Sequence, residues 1–327
     1  MAIKQKFLID LSDHSNWLYT ASPPSPREDS KSIEDMAVLI MPDDSGRKLY
    51  TMTDSLMYPT EKDEYMLPLH EHRKGYETFF VDSGDMDLWV NGKIARVVPG
   101  SLLHLQPYEI HRMVIRETVK FRGFFQDWNG VDIVPTVQLL EHNYPGISGR
   151  FFEANAVKDR DFFMHESADY TRVEAEEVAA IRHPYRPLAR FDLDGISMKM
   201  MIGRWETAGV REVWRMEMEE GFHAEWVDFP EYRELYYVTG GEIRFKVCED
   251  EFVAHSECLV DIPKHLPHSI EVQKNAVVYD MGGMTCWFDL LHDYTTLLKK
   301  APGRIANHEE MAELLEFNRC QIKSYGW

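Results

Sequence analysis

A chain of 327 residues is long enough for about two domains. Its 44% hydrophobic and 28% charged residues are the composition of an ordinary globular protein, not a disordered or fibrous one. The formal charge of −19 repels phosphate backbones and anionic lipid, which argues against nucleic-acid partners and a polybasic membrane anchor. No run is apolar enough for a transmembrane helix, and the N-terminal apolar stretch meets Asp10 after three residues, too soon for a secretory leader. Cys248, Cys258, Cys286 and Cys320 have no CxxC spacing and read as small buried side chains in a reducing compartment. The expected location is the cytoplasm.

In chain order, residues 1–34 form an extension whose Pro23, Pro24 and Pro26, set among serines and charges, predict an exposed loop. Short apolar runs follow at 37–41 and 48–52, separated by a Pro-Asp-Asp-Ser-Gly turn. Residues 86–90 and 93–98 flank Asn91-Gly92, the strongest short hairpin signal. Runs at 102–106 and 113–125 continue the pattern. Short strands at this spacing predict an all-β barrel or sandwich over 35–165. Thr171-Arg172-Val173-Glu174 is a capping-box pattern, which predicts a short helix over 175–181 in a linker of residues 166–195. A second β-rich block spans 196–290. A helical tail of residues 291–327 follows, where Asn307 opens a second capping-box pattern and Met311, Leu314 and Leu315 form an apolar face.

The two blocks repeat one another. Gly84 and His111 follow Glu77 at the same offsets at which Gly241 and His268 follow Glu234, and the text around each glutamate is alike. A tandem duplication of one β-domain explains this.

Metal-site chemistry is written into the first copy. Alternate residues of a strand point to one face, so His70 and His72 can offer both imidazoles to one ion. Glu77 adds an oxygen ligand and His111 a third imidazole. Three nitrogens and a carboxylate suit a divalent ion such as Fe, Mn, Ni, Cu or Zn, with positions left for water or substrate. In the second copy His223, Glu225, Glu234 and His268 form a weaker set, because Glu225 replaces a histidine and eight residues separate it from Glu234. Two carboxylates there would favour a harder ion such as Mn. Tyr76, Phe79, Phe80, Trp89, Tyr108, Phe124, Phe125 and Trp128 are candidates for an aromatic pocket wall or for core. Arg96, Arg112 and Arg122 are candidates to hold a substrate anion.

His70-x-His72-(x4)-Glu77-(x6)-Gly84 resembles the first cupin motif. Gly100 through Pro107 to His111 resembles the second, one residue shorter between proline and histidine. Pro263 to His268 resembles the usual second motif closely. The chain is therefore similar to a bicupin, which implies two tandem double-stranded β-helix barrels with short linking and C-terminal helices. The resemblance implies a metal-dependent enzyme acting on a small molecule, expected here as a homodimeric Fe(II) dioxygenase cleaving a phenolic, enolic or keto-acid substrate with dioxygen. Lewis-acid isomerases, epimerases and decarboxylases, and non-catalytic small-molecule binders, share the resemblance. A DNA-binding helix-turn-helix pattern is absent from the sequence.

Overall fold

The computed structural model describes residues 7–13, 19–20, 34–42, 48–59, 69–126, 161–166, 168–209, 211–227, 233–282, 287–305, 308–318 and 324–326. They form two compact units, His14–His183 and Met1–Asp13 with Pro184–Trp327. Both are built mainly of antiparallel strands.

Two facing sheets make the first unit. One orders the strands Phe163–Met164, His70–Glu71, His111–Ile115, Met86–Val90, Lys93–Val97 and Thr171–Arg172. The other orders Ile181–Arg182, Leu102–Leu105, Glu77–Ser83, Val119–Gln126, Lys48–Met57, Glu34–Pro42 and Tyr19–Thr20. The hairpin at Asn91-Gly92 forms as expected, with φ of 48° and 83°, the left-handed pair that a two-residue turn between twisted strands requires. Inward residues at alternate positions, Phe79 and Val81, Leu103 and Leu105, and Met86, Leu88 and Val90, join Met113, Val119 and Phe121 in one apolar core. The 113–125 run is two strands, broken where Arg116 and Glu117 both donate backbone N–H groups to the Asp85 carbonyl.

In the second unit the described strands form one ten-stranded sheet, because Glu234–Val247 and His268–Asp280 are long enough to bend from one wall into the other. They pair along most of their length through several bulges, which supply the bend. The helices Trp287–Lys300 and His308–Phe317 follow, and Trp287, Leu290, Leu291, Leu314 and Leu315 are buried in this unit's core. Among the described residues no helix is long and apolar enough to cross a membrane.

The repeat is visible in the backbone. Gly84 and Gly241 both have positive φ, 97° and 81°. A Cβ at either would lie 2.3 Å from the Thr118 carbonyl oxygen or 2.2 Å from that of Asn275. Each copy needs glycine for the same close crossing of strands.

Three segments differ from the sequence expectation. Residues 175–181 do not form a helix: only Ala175–Glu177 makes a 3-10 turn, and Ile181–Arg182 pairs with Leu102–Leu103. The strand bonds there outweigh continuation of a short helix. Residues 166–195 are accordingly not a free linker, since Thr171–Arg172 also adds to the first unit and Ala189–Leu193 to the second. Residues 1–34 are not wholly an extension either. Leu8–Asp10 pairs with Val260, Leu259 and Cys258 in the second unit, and Phe7 is buried there. The proline-rich loop lies outside the described residues, as do Cys286 and Cys320. Cys258 is buried as expected, whereas Cys248 is exposed.

Candidate metal centre

His70, His72, Glu77 and His111 converge, one ligand atom of each lying within 4.8 Å of the others, and all four are buried. Sheet pairing brings them together. His111 is opposite His70 in one wall, and Glu77 begins the strand that pairs with Leu102–Leu105 in the other. The ring centroids of His70 and His111 are 4.3 Å apart, and those of His70 and His72 are 5.2 Å apart. Below the quartet, the inward residues of the same strands are apolar, so the polar groups sit over a dry floor.

Hydrogen bonds to the far nitrogens orient two of the rings. His72 Nδ1 lies 2.7 Å from the Asp161 carbonyl oxygen and His111 Nδ1 lies 2.8 Å from that of Glu109. With the proton on Nδ1 in each neutral ring, both Nε2 lone pairs face Glu77, at 3.2 Å from Oε1 and 2.9 Å from Oε2. His72 Nε2 is fully buried and lies off the line of a good hydrogen bond to Glu77. This donor set fits a divalent transition-metal ion: three imidazoles, two of them turned by their Nδ1 partners to present Nε2, and one carboxylate. Without an ion, protons occupy it. Burial opposes charge on Glu77, but His72 and His111 beside it hold its carboxyl well below the usual range. Burial likewise opposes charge on His72, and the Glu77 carboxylate outweighs it and raises that imidazole.

Sequence reasoning missed the segment that walls this cluster. Asp161, at φ 63°, places its carboxylate over the loop after His72, accepting the backbone N–H groups of Arg73, Lys74 and Gly75 at 3.0, 2.8 and 2.9 Å. Phe162 stacks on His70 at 4.0 Å between centroids and meets His72 edge-on at 5.0 Å. No local motif marks these residues, which follow the second motif by about half the length of a domain.

The proposed substrate-holding arginines lie elsewhere. Arg96 is bound to Asp85, and Arg122 contacts Asp54 and Asp82. Arg112 sits opposite Trp89, on the other face of its strand from His111. Of the aromatic candidates, Phe79 belongs to the core, Tyr108 is exposed, Tyr76 stacks on His104, and Phe80, Trp89 and Phe124 are buried. The side chain of Phe125 and all of Trp128 lie outside the described residues. His104 bonds Thr78 on the outward face, and His183 is buried against Ser101.

The second set is not assembled in this way. His223 is exposed, next to inward Ala224, while Glu234 and His268 are buried. The Glu225 side chain lies outside the described residues. Among the described residues only the first quartet forms a group able to hold a metal ion.

Neither a protein-family model nor a curated protein sequence matches the chain. Solved structures do. The oxalate decarboxylase of Lactobacillus farciminis, as a formate complex, aligns with 86% of this chain and 87% of its own at 12% identity and a TM-score of 0.52. Two variants of Bacillus subtilis oxalate decarboxylase align with 92% of this chain and 85% of their own, at 12% and 11% identity and TM-scores of 0.50 and 0.51. At such identities the likeness speaks for the fold alone. Together with the duplicated strands, that likeness shows that the chain shares the two-barrel β fold of these cupin proteins.

Proposed function

We propose that the first barrel is the metal centre of an enzyme acting on a small organic acid or enol, with metal-assisted decarboxylation as the leading reaction. The observation that carries this reading is the buried quartet of three imidazoles, two of them oriented through Nδ1, and one carboxylate. His70, His72, Glu77 and His111 would hold the ion. A bound divalent ion supplies a Lewis acid to substrate oxygens at its remaining positions. The chain's own contribution is to orient the ligands, exclude water with an apolar floor, and limit the approach with Phe162. Likeness in fold to oxalate decarboxylases supports carbon–carbon cleavage with no net consumption of dioxygen over the oxygen-consuming reaction expected from the sequence.

The test is turnover of a panel of oxo acids, dicarboxylic acids, β-diketones and phenols by protein reconstituted with Mn(II) or Fe(II). Product and carbon dioxide are followed with and without dioxygen. Formation of product and carbon dioxide with no net dioxygen uptake is expected. Turnover that requires dioxygen uptake restores the dioxygenase, and absence of turnover with every metal removes the enzyme reading.

A further inference from the structure

In the first barrel Glu77 faces two imidazoles; its counterpart Glu234 faces another acid. The register shows why. Tyr236, two residues beyond Glu234, pairs with Asp280, as Phe79, two beyond Glu77, pairs with Gly123. A carboxyl therefore stands in the second barrel where the first has a hydrogen atom. Asp280 and Glu234 are 2% and 0% exposed. A Cβ built on Gly282 would lie 3.0 Å from both Asp280 Oδ1 and Glu234 Oε2, so the two groups crowd one point.

Two carboxylates that close in a dry core cannot both be ionised. Asp280 accepts the Gly282 N–H at 2.9 Å on Oδ1 and the Trp287 indole N–H at 3.2 Å on Oδ2, which makes it the better anion. Glu234 is beside the Asp280 carboxyl and the Tyr236 hydroxyl, and neither is cationic. Both Glu234 carboxyl oxygens are buried and accept no hydrogen bond, so Glu234 is the group of the pair that keeps the proton. Trp287 lies over the pair at the start of its helix, 1% exposed. His268 turns Nδ1 to the Leu266 carbonyl at 3.1 Å, and burial pushes it down to about 4, so it is neutral and supplies no counter-charge.

We infer that the second barrel holds a proton-sharing Glu234–Asp280 pair beneath the Trp287 indole in place of a metal ion. The inference concerns the second barrel alone; its test uses the first-barrel reading only as an internal reference.

The experiment is metal counting by mass spectrometry on the full chain, stripped by chelator, reconstituted with Mn(II) or Fe(II), and desalted. The wild type is expected to hold one ion, a His70→Ala/His72→Ala double variant none, and Glu234→Gln the wild-type amount. Two ions per chain overturn the inference, as does an ion that survives the double variant and is lost on adding Glu234→Gln. No metal in any protein would sink the proposed function while agreeing with a metal-free second barrel. Infrared difference spectra give an independent readout. At neutral pH the wild type should show the carbonyl stretch of a buried protonated carboxyl, missing from Glu234→Gln, and its absence from the wild type overturns the shared proton. Glu234→Gln is neutral and nearly isosteric with a protonated carboxyl, so it is the variant expected to fold.

Discussion

His72 is held in its useful tautomer by a residue far away in sequence, and this gives the first prediction. The Asp161 carbonyl accepts the hydrogen bond from His72 Nδ1–H, and that carbonyl is fixed by the three backbone N–H hydrogen bonds to the Asp161 carboxylate. Asp161→Ala removes those bonds and strains a left-handed φ, so metal affinity should fall roughly 10–100-fold. Asp161→Asn, which tolerates that backbone and keeps one acceptor oxygen, should fall less. Competition titration against a chromophoric chelator measures both; unchanged affinity in the alanine variant would remove Asp161 from this role. A second prediction concerns Glu212, in the other unit. Burial raises its carboxyl to about 7, even though Trp214 Nε1 and Phe288 N donate to its Oε2. Unfolded, it ionises near 4.5, so its contribution is fully present below that pH and is lost as pH rises through about 7. The difference corresponds to about 3 kcal/mol. Glu212→Gln should therefore flatten the fall in stability between pH 5 and 8, read by chemical denaturation. An unchanged slope would place that pH dependence on other groups. The metal quartet was legible because strand parity and the repeat fix it locally, whereas Asp161 and Phe162 reach it only through tertiary pairing. In the second copy the offsets carried Glu234 and His268 over, but nothing local revealed that His223 faces solvent or that Asp280 occupies the register position of Gly123.

At the scale of elements, strands declared themselves where turn chemistry was explicit, as at Asn91-Gly92, and the terminal helix by its apolar face. The failures share a cause. Residues 175–181 carry a helix-start pattern, yet Ile181 and Arg182 find a strand to pair with, and pairing of that kind has no local signature. Leu8–Asp10 is similar: three residues cannot show a period, and their partners lie some 250 residues later. This short strand matters because it carries Phe7 into the second unit's core, stacked on Phe252 at 6.4 Å, which in turn stacks on Phe245 at 5.6 Å. Phe7→Ala should cost this unit roughly 3 kcal/mol, by lost transfer energy and the cavity left behind. Denaturant unfolding followed by the fluorescence of Trp214 and Trp287 would measure it. A loss under about 0.5 kcal/mol, the range of surface substitutions, would show that the terminal strand is dispensable.

For the whole molecule, the division of labour between the two units predicts where metal acts. All four ligands and Asp161 belong to His14–His183, so an ion that binds there stabilises that unit by mass action. At a thousandfold excess over the dissociation constant the gain is about 4 kcal/mol. Calorimetry should show one transition moving up with metal while the transition that responds to Phe7→Ala stays in place. Protons compete for the same site, and the sign follows from His72. In the metal-free protein Glu77 raises the His72 pKa above 6.5, so the ring still carries a proton at pH values where a free histidine has largely lost it. That proton must leave before Nε2 can bind the ion, so affinity rises with pH until His72 is neutral and falls as pH drops. Metal stabilisation should consequently fade on acidification from a higher pH than for a site of unperturbed histidines. Titration calorimetry at pH 6.5 in two buffers of different ionisation enthalpy counts the protons released. Release of more than half a proton per ion is expected from His72, abolished together with binding in His72→Ala. An enthalpy independent of buffer would mean that His72 is neutral before the ion arrives, and the charge assignment within the quartet would be wrong.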